Sequence, residues 1–223
     1  MNYTSIFDVI GPNMIGPSSS HTAGAVAIAL MARRLFNEEI VRVDFTLYGS
    51  FAKTYQGHGT DKALLGGILG FSPDDVRIRD AFAIAKERGV EFNFIEDHSD
   101  DHGHHPNTAD ILMYNGKGRT QFIRGESIGG GRMKIVKINN IDVDFTGEYS
   151  TLIVKQFDRP GVVAHITKCL SDKNVNIAFM RLYREAKGET AYTVIESDHH
   201  IPDEIVDLIN DHENIQKTLV LQV

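Results

Sequence analysis

Three consecutive serines, a histidine and a threonine stand directly before the first segment of helical periodicity: Ser18, Ser19, Ser20, His21 and Thr22. Backbone N–H groups in the first turn of a helix lack intrahelical partners, and the helix dipole adds partial positive charge there. The hydroxyl groups would add donors, and the imidazole would add a group that exchanges protons near neutral pH. The pattern predicts a site for a small carboxylate or phosphate, with an ordinary serine N-cap as the alternative.

A second histidine lies in the string Gly57-His58-Gly59-Thr60-Asp61. Glycines allow a backbone to approach a ligand closely, and a base with a carboxylate nearby suits proton transfer. No Gly-Lys-Ser/Thr sequence follows, so the string is not a nucleotide-binding P-loop. By itself it is also compatible with a glycine-rich turn before a helix.

The polar loop from Glu96 to Thr108 holds four of the ten histidines. The histidines between His98 and His104 invite a metal interpretation, but their spacing matches no helical metal-binding motif, and we predict no metal site. His105 and Asn107 are better placed, because they lead directly into the next predicted strand.

A run of glycines follows Ser127 at the end of a predicted strand: Gly129, Gly130 and Gly131. Successive backbone N–H groups of this kind can form a concave anion site, and a β-bulge or a turn is the alternative. Together, the four motifs predict a site for a small, polar, anionic ligand.

The elements that position these motifs mix helices and strands, so the predicted fold class of residues 1–147 is α/β (α+β). Apolar residues with period 3.6 predict helices, and alternating apolar residues predict strands. The helices are 23–36, a short one from Thr60, and 74–88; the strands are 41–49, 90–95, 110–114, 120–127, 133–138 and 141–145.

Residues 148–223 form a second predicted domain with the order βαββαβ, which is a ferredoxin-like unit. Its elements are strands 150–157, 176–184, 190–197 and 215–223, and helices 162–173 and 201–211. Cys169 lies on the apolar face of the first of these helices, and we interpret it as a core residue rather than a nucleophile.

Composition excludes several classes of function. The net charge is −7 (23 Lys and Arg, 30 Asp and Glu), which disfavours nucleic acids and anionic membranes as partners. No apolar run approaches the ~20 residues that span a bilayer, and the N-terminus lacks signal-peptide features, so we expect a cytoplasmic protein. With one cysteine, the chain alone cannot hold a cysteine-ligated iron–sulfur cluster.

Four strings together resemble the β subunit of bacterial iron–sulfur-dependent L-serine dehydratase. They are the Gly-Pro-Ser-Ser-Ser-His-Thr string that ends at Thr22, and the strings that begin at His58, His105 and Ser127. The resemblance covers essentially the whole chain. Residues 148–223 are similar to an ACT domain through Asp-Arg-Pro-Gly161, Asn-Ile-Ala178 and the order of elements.

The resemblance implies an L-serine ammonia-lyase that converts L-serine to pyruvate and ammonia. It also implies that a [4Fe–4S] cluster acts as Lewis acid and is held by a separate α subunit, so this chain would be active only with that partner. The ACT domain would serve regulation or self-association.

The resemblance also implies residue roles. The catalytic candidates are His21, His58 and His105. The substrate-binding candidates are Ser18, Ser19, Ser20, Thr22, Asp61, Asn107, Gly129, Gly130 and Gly131. A small amino acid such as L-serine would bind the ACT domain at Asp158, Gly161, Val162 and Asn176.

Two alternatives stay open at this point. The chain could be a non-catalytic, amino-acid-sensing regulatory protein, since many chains with ACT domains are regulatory. It could also be a metal-dependent hydrolase that uses the histidines of residues 98–105, although carboxylate ligands at a useful spacing are missing outside that loop.

Overall fold

The computed structural model describes residues 13–99 and 103–222. The chain divides into two compact units, residues 1–139 and 140–223. Both helices and strands build the protein, which confirms the mixed α/β class. The boundary between residues 147 and 148 stays a prediction.

The first unit combines helices with a mostly antiparallel sheet. A π-helical turn, Ser19–Gly24, continues directly into helix α1, Ala25–Phe36. The remaining elements are β1 (Arg42–Tyr48), α2 (Gly49–His58), α3 (Thr60–Ile68), a 3₁₀ turn (Val76–Asp80), α4 (Ala81–Glu87), β2 (Glu91–Asp97), β3 (Thr108–Tyr114), β4 (Thr120–Gly129) and β5 (Arg132–Ile138). The strands lie in the order β2-β1-β3-β4-β5, and only β1 and β2 run parallel.

Helix α1 is the central buried helix of this unit. It packs closely against α3, because Gly67 has no side chain at the point of contact: a Cβ there would lie 2.6 Å from the Cβ of Ala29. On its other side, α1 packs against β4, where a Cβ at Gly125 would lie 2.4 Å from a methyl group of Ile28. These contacts hold the N-terminal end of α1, and with it the π-helical turn, in a defined place.

The structure differs from the prediction at two places in this unit. Helix α2 was not predicted, because the polar and glycine-containing string 49–58 has low helix propensity. Burial of Phe51 and Ala52 stabilises it instead. The predicted helix 74–88 is a 3₁₀ turn followed by the shorter α4.

The second unit contains a ferredoxin-like sheet with two helices. Its elements are β6 (Ile141–Phe145), β7 (Ser150–Phe157), α5 (Val162–Asp172), β8 (Phe179–Arg184), β9 (Thr190–Ser197), α6 (Glu204–Asn210) and β10 (Ile215–Leu221). The sheet order is β10-β7-β9-β8, with antiparallel pairing throughout. Cys169 belongs to the apolar core formed by the two helices and the sheet. No helix within the described ranges is long and apolar enough to cross a membrane.

Candidate active site

His21 is the most buried histidine of the four motifs. It lies in the π-helical turn and is 8% exposed. Its Nδ1 is 3.3 Å from Oγ of Ser18, and its Nε2 is 3.1 Å from Oγ of Ser50. Burial lowers the pKa of the His21 imidazole below its usual value, and the nearby His58 lowers it further. The ring is therefore neutral near pH 7, with one nitrogen able to accept a proton.

The turn around His21 is closed by Ser18. The backbone N–H of His21 donates to Oγ of Ser18 at 3.3 Å, and the N–H of Thr22 donates to the carbonyl of Ser18 at 2.8 Å. Ser19 and Ser20 lie in the same turn and are partly buried. The predicted serine N-cap is thus present, but it begins a π-helical turn, a form that is frequent at functional sites.

His58 approaches His21 from the end of α2. The two ring centroids are 4.8 Å apart with an interplanar angle of 85°, and His58 is exposed on its other side. Asp61 is buried in the first turn of α3, where its Oδ1 accepts the N–H of Lys62 at 2.7 Å. Burial raises the pKa of Asp61. The two histidines therefore contact each other, while Asp61 is held by its own helix turn.

The loop that carries His105 is docked on the N-terminus of α2. The carbonyl of Pro106 accepts the N–H groups of Ser50 (2.7 Å) and Phe51 (3.3 Å). Gly49 makes this approach possible, because it has φ +53° and a Cβ there would lie 2.7 Å from the Pro106 carbonyl oxygen. Nδ1 of His105 accepts the N–H of Asn107 at 3.2 Å. The His-Pro-Asn string thus lies beside Ser50, the partner of His21.

Ser127 connects the fourth motif to the first and the third. Its N–H donates to the carbonyl of Asn107 at 2.9 Å. Its side chain packs against Gly24 of the π-helical turn, where a Cβ would lie 2.0 Å from Oγ of Ser127. Contacts therefore form a closed ring through Ser50 and three of the motifs: His21 to Ser50, Ser50 to Pro106, Asn107 to Ser127, and Ser127 back to the turn of His21. The second motif joins this ring through the contact of His58 with His21.

Each motif also contains one buried side-chain oxygen without a hydrogen-bond partner in the protein. Within residues 13–99 and 103–139, these oxygens are Thr22 Oγ1, Thr60 Oγ1, Asn107 Oδ1 and Ser127 Oγ. Buried polar groups are normally paired, so such a group calls for an explanation, and a bound polar molecule is one. The four oxygens are divided among the four motifs that the sequence singles out.

The backbone conformation explains the run of glycines after Ser127. Gly129 pairs with Arg132, which leaves Gly130 and Gly131 as a two-residue hairpin turn between β4 and β5. The φ values of the three glycines are +94°, +63° and +80°. Positive φ at both central residues is typical of a type I′ hairpin. A contact of these glycines with substrate stays a prediction.

A cavity of about 460 Å³ opens beside this ring of contacts. Its lining includes Ser50, Lys53, His104, His105 and Pro106. Because Ser50 contacts His21, the cavity is adjacent to the buried imidazole.

The histidine loop forms no metal site in the part that the structure describes. No three His, Cys, Asp or Glu side chains are grouped to hold a metal ion there. His98 instead contacts Glu96 at 2.9 Å. Residues 100–102, which include His102, lie outside the described residues.

In the second unit, the turn between β7 and α5 contains the predicted effector residues. Asp158 accepts the N–H of Gly188 at 3.1 Å and lies 3.3 Å from the Arg184 guanidinium, and the Gly188 N–H lowers its pKa. Gly161 has φ +89° at the start of α5. Val162 is fully buried in the core, and Asn176 is exposed. Asp158 thus holds the turn, and its contact with an effector stays a prediction.

Comparison with known proteins agrees with both units. A family model described as serine dehydratase beta chain matches residues 5–137, and one described as ACT domain matches residues 150–214. A Bacillus subtilis protein named probable L-serine dehydratase, beta chain, is 42% identical over 216 residues, which are 96% of each chain. The L-serine dehydratase beta chain of Peptoniphilus asaccharolyticus is 42% identical over 194 residues, 87% of each chain. The chain belongs to the serine dehydratase beta chain family.

The chain also matches part of a different enzyme. A D-3-phosphoglycerate dehydrogenase of Bacillus subtilis is 29% identical over 180 residues, which are 80% of this chain but 34% of that protein. The resemblance to the L-serine dehydratase β subunit that the four strings predict is confirmed by the two beta chain matches, which cover 96% and 87% of the chain.

The residues of this chain do not fit a [4Fe–4S] cluster. Its single cysteine, Cys169, is buried in the core of the second unit. Burial raises the pKa of the Cys169 thiol, which disfavours the thiolate that binds iron. This chain therefore does not provide the cysteine ligands that such a cluster needs.

Ser50 was not predicted as a site residue. The sequence offers one indication of such a role. A Gly-Ser pair directly follows strand β1, and a serine at that position can begin a helix. That signal was weak because α2 itself was not predicted, and the contact with His21 joins residues that are 29 positions apart.

Proposed function

We propose that this chain is the substrate-binding and proton-transferring subunit of an L-serine dehydratase, which converts L-serine to pyruvate and ammonia together with a separate α subunit. This proposal rests on one observation: each of the four contacting motifs contains one buried side-chain oxygen without a hydrogen-bond partner in the protein. A small amino acid would supply hydrogen-bond partners for these oxygens through its carboxylate and ammonium groups. The names of the two relatives that match most of the chain support L-serine as the substrate.

In this proposal the hydroxyl groups of the π-helical turn bind the substrate carboxylate. Ser18, Ser19, Ser20 and Thr22 lie at the N-terminal end of a buried helix, where N–H groups and the helix dipole favour an anion. Asn107 and Asp61 would contact the remaining polar groups of the substrate. Charge stabilisation at the carboxylate matters because the α-proton of an amino acid is only weakly acidic.

Proton transfer is assigned to the contacting pair His21 and His58. His21 is kept neutral by burial and is oriented by two hydroxyl groups. His58 touches that ring and faces outward, so it is placed to exchange protons with the surroundings. His105, at the wall of the cavity beside Ser50, is the third catalytic candidate.

The [4Fe–4S] cluster is assigned to cysteines of the α subunit. When bound there, it would supply the Lewis acid for the departing hydroxyl group. Every role given to this chain concerns binding, orientation and proton transfer.

The ACT domain is proposed to bind a small amino acid such as L-serine and to mediate self-association. Its candidate residues are Asp158, Gly161, Val162 and Asn176. Isothermal titration of the full chain with L-serine tests this. Asn176→Ala should weaken binding, whereas Asn210→Ala, a change at another exposed asparagine of the same unit, should not. Equal binding by both variants would contradict the assignment.

The central experiment is anaerobic. The tagged chain is purified from its host without oxygen, and pyruvate formation from L-serine is measured together with bound iron. A co-purifying cysteine-bearing chain, iron and turnover are the expected results. His21→Asn and His58→Asn should each lower kcat by at least about 100-fold. His199→Asn, at an exposed histidine of the second unit, is the matched control.

One observation favours a second candidate function, an amino-acid-sensing regulator. Most of this chain matches one third of a D-3-phosphoglycerate dehydrogenase. A regulator would bind L-serine without turning it over, with or without the α subunit. Loss of turnover in His58→Asn with retained L-serine binding would favour catalysis and disfavour the regulator.

A further inference from the structure

A buried ion pair lies next to the candidate site and takes no part in the roles given above. Asp110 on β3 and Arg124 on β4 are directly opposite in the sheet register. The Arg124 guanidinium binds both carboxylate oxygens, at 2.5 Å from Nε to Oδ1 and 2.7 Å from Nη2 to Oδ2. Asp110 is 7% exposed, so the pair is largely shielded from water.

Tyr48, at the end of β1, completes the carboxylate's partners. Its hydroxyl donates to Oδ2 of Asp110 at 2.8 Å. Burial and the hydrogen bond to Asp110 raise the pKa of Tyr48 to about 12, so the phenol stays protonated and remains a donor. Asp110 is thus held by donors from two neighbouring strands.

The remaining arm of Arg124 reaches the histidine loop. Its Nη1 lies 3.1 Å from Nε2 of His104. Guanidinium nitrogens only donate, so Nε2 of His104 is the accepting nitrogen and the ring proton is on Nδ1. The ring also packs edge-on against Tyr48, with centroids 5.1 Å apart. We call Tyr48, His104, Asp110 and Arg124 the Arg124 cluster.

The Arg124 cluster lies at the wall of the cavity beside the candidate site. His104 lines that cavity together with Ser50 and with His105, its neighbour in the chain. A buried ion pair contributes little net stability, because desolvation offsets the attraction between the charges. A hydrogen-bond network of this geometry is better suited to orienting the side chains that it joins than to stabilising the fold.

We propose that Arg124 is a positioning residue that holds His104, and through it the adjoining His105, at the cavity wall beside Ser50. The proposal rests on the proposed function, because it concerns the same site. Asp110 and Tyr48 hold the guanidinium in place, and Nη1 of Arg124 fixes the ring of His104. The loop would then be anchored twice: at His104 by Arg124 and at Pro106 by the N-terminus of α2.

Three variants test the proposal in the complex with the α subunit. His104→Leu removes the acceptor, and His104→Gln keeps an acceptor oxygen. Arg124→Lys keeps the charge beside Asp110 but loses the planar guanidinium that reaches both Asp110 and His104. His104→Leu and Arg124→Lys should lower kcat/KM for L-serine by about tenfold. His104→Gln should stay close to wild type, and the melting temperatures of the His104 variants should be unchanged.

Activity of His104→Leu equal to that of an active wild-type complex would overturn the proposal. So would a His104→Gln complex as inactive as His104→Leu, because the imidazole itself would then be required. Long-range ¹H–¹⁵N spectra give a readout that needs no turnover, with His104 assigned by its absence in His104→Gln. An unprotonated Nε2 that changes in Arg124→Lys supports the proposal, and a protonated Nε2 in the wild type overturns it. An inactive wild-type complex with the expected spectrum would count against the proposed function alone.

Discussion

Nε2 of His21 lies 3.1 Å from Oγ of Ser50, which joins the turn before α1 to the first turn of α2. The two residues are far apart in the sequence, and each lies at the start of a helix. The same first turn of α2 binds the carbonyl of Pro106. Ser50 is therefore the residue at which the His21 motif and the His105 loop meet.

Removal of this hydroxyl group tests the arrangement. Ser50→Ala should lower kcat/KM by about fivefold, which corresponds to the ~1 kcal/mol of one hydrogen bond. The backbone N–H that binds Pro106 is retained, so the loop should stay in place. Ser171→Ala, at an exposed serine of α5, is the control. Steady-state kinetics of the complex with the α subunit that show equal values for both variants would contradict a role of Ser50.

The lowered pKa of His21 predicts a pH dependence of activity. In the proposed function, the neutral His21 ring is the form that accepts a proton. Its pKa lies below the ordinary value of about 6.5, so the ring becomes protonated only below that pH. The acid limb of kcat/KM should therefore lie below about pH 6.5. A pH–rate profile with its acid limb above that value would show that another group controls the reaction.

The same shift predicts a pH dependence of stability. Unfolded His21 takes up a proton near its ordinary pKa, about 6.5, whereas the folded chain resists protonation. Stability should thus fall as pH drops from about 6.5 to the lowered folded value. Urea denaturation of wild type and His21→Asn at about pH 7.5 and about pH 5.5 measures the effect. A wild type that loses no more stability than His21→Asn would be inconsistent with a buried neutral ring.

Gly49 should tolerate no side chain. Gly49→Ala forces a positive φ on alanine and places its Cβ against the backbone of Pro106, so we expect a loss of about 3 kcal/mol or more. Gly89→Ala has the same kind of φ but open space around it, and should cost about 1 kcal/mol. Denaturation of both variants isolates the contact with Pro106. Equal losses would mean that the loop is not docked at this position.

Cys169 should be irrelevant to iron binding. Because it is a core residue of the second unit, Cys169→Ala should reduce stability by roughly 1 kcal/mol through lost packing. The iron content of the purified complex with the α subunit should remain unchanged. Metal analysis gives the iron content, and circular dichroism checks the fold. Loss of iron in a folded variant would mean that this chain takes part in holding the cluster.

Several features could be predicted from the sequence because they depend on local patterns. Val43, Phe45 and Leu47 alternate with polar residues and are all fully buried on β1. The ferredoxin-like order of the second unit follows from the periods of successive segments and the turn residues between them. The four motifs were recognisable because polar residue types and glycines cluster at the ends of helices and strands.

Other features were decided only by tertiary structure. Helix α2 has a polar, glycine-containing sequence with low intrinsic propensity, and it forms because Phe51 is buried and the carbonyl of Pro106 caps its first turn. The role of Ser50 depended on that helix. The neutral state of His21 and the Arg124 cluster depend on burial and on contacts between residues distant in the chain. Such contacts exist only after the sheet and α1 have brought the segments together, and local patterns carry no signal for them.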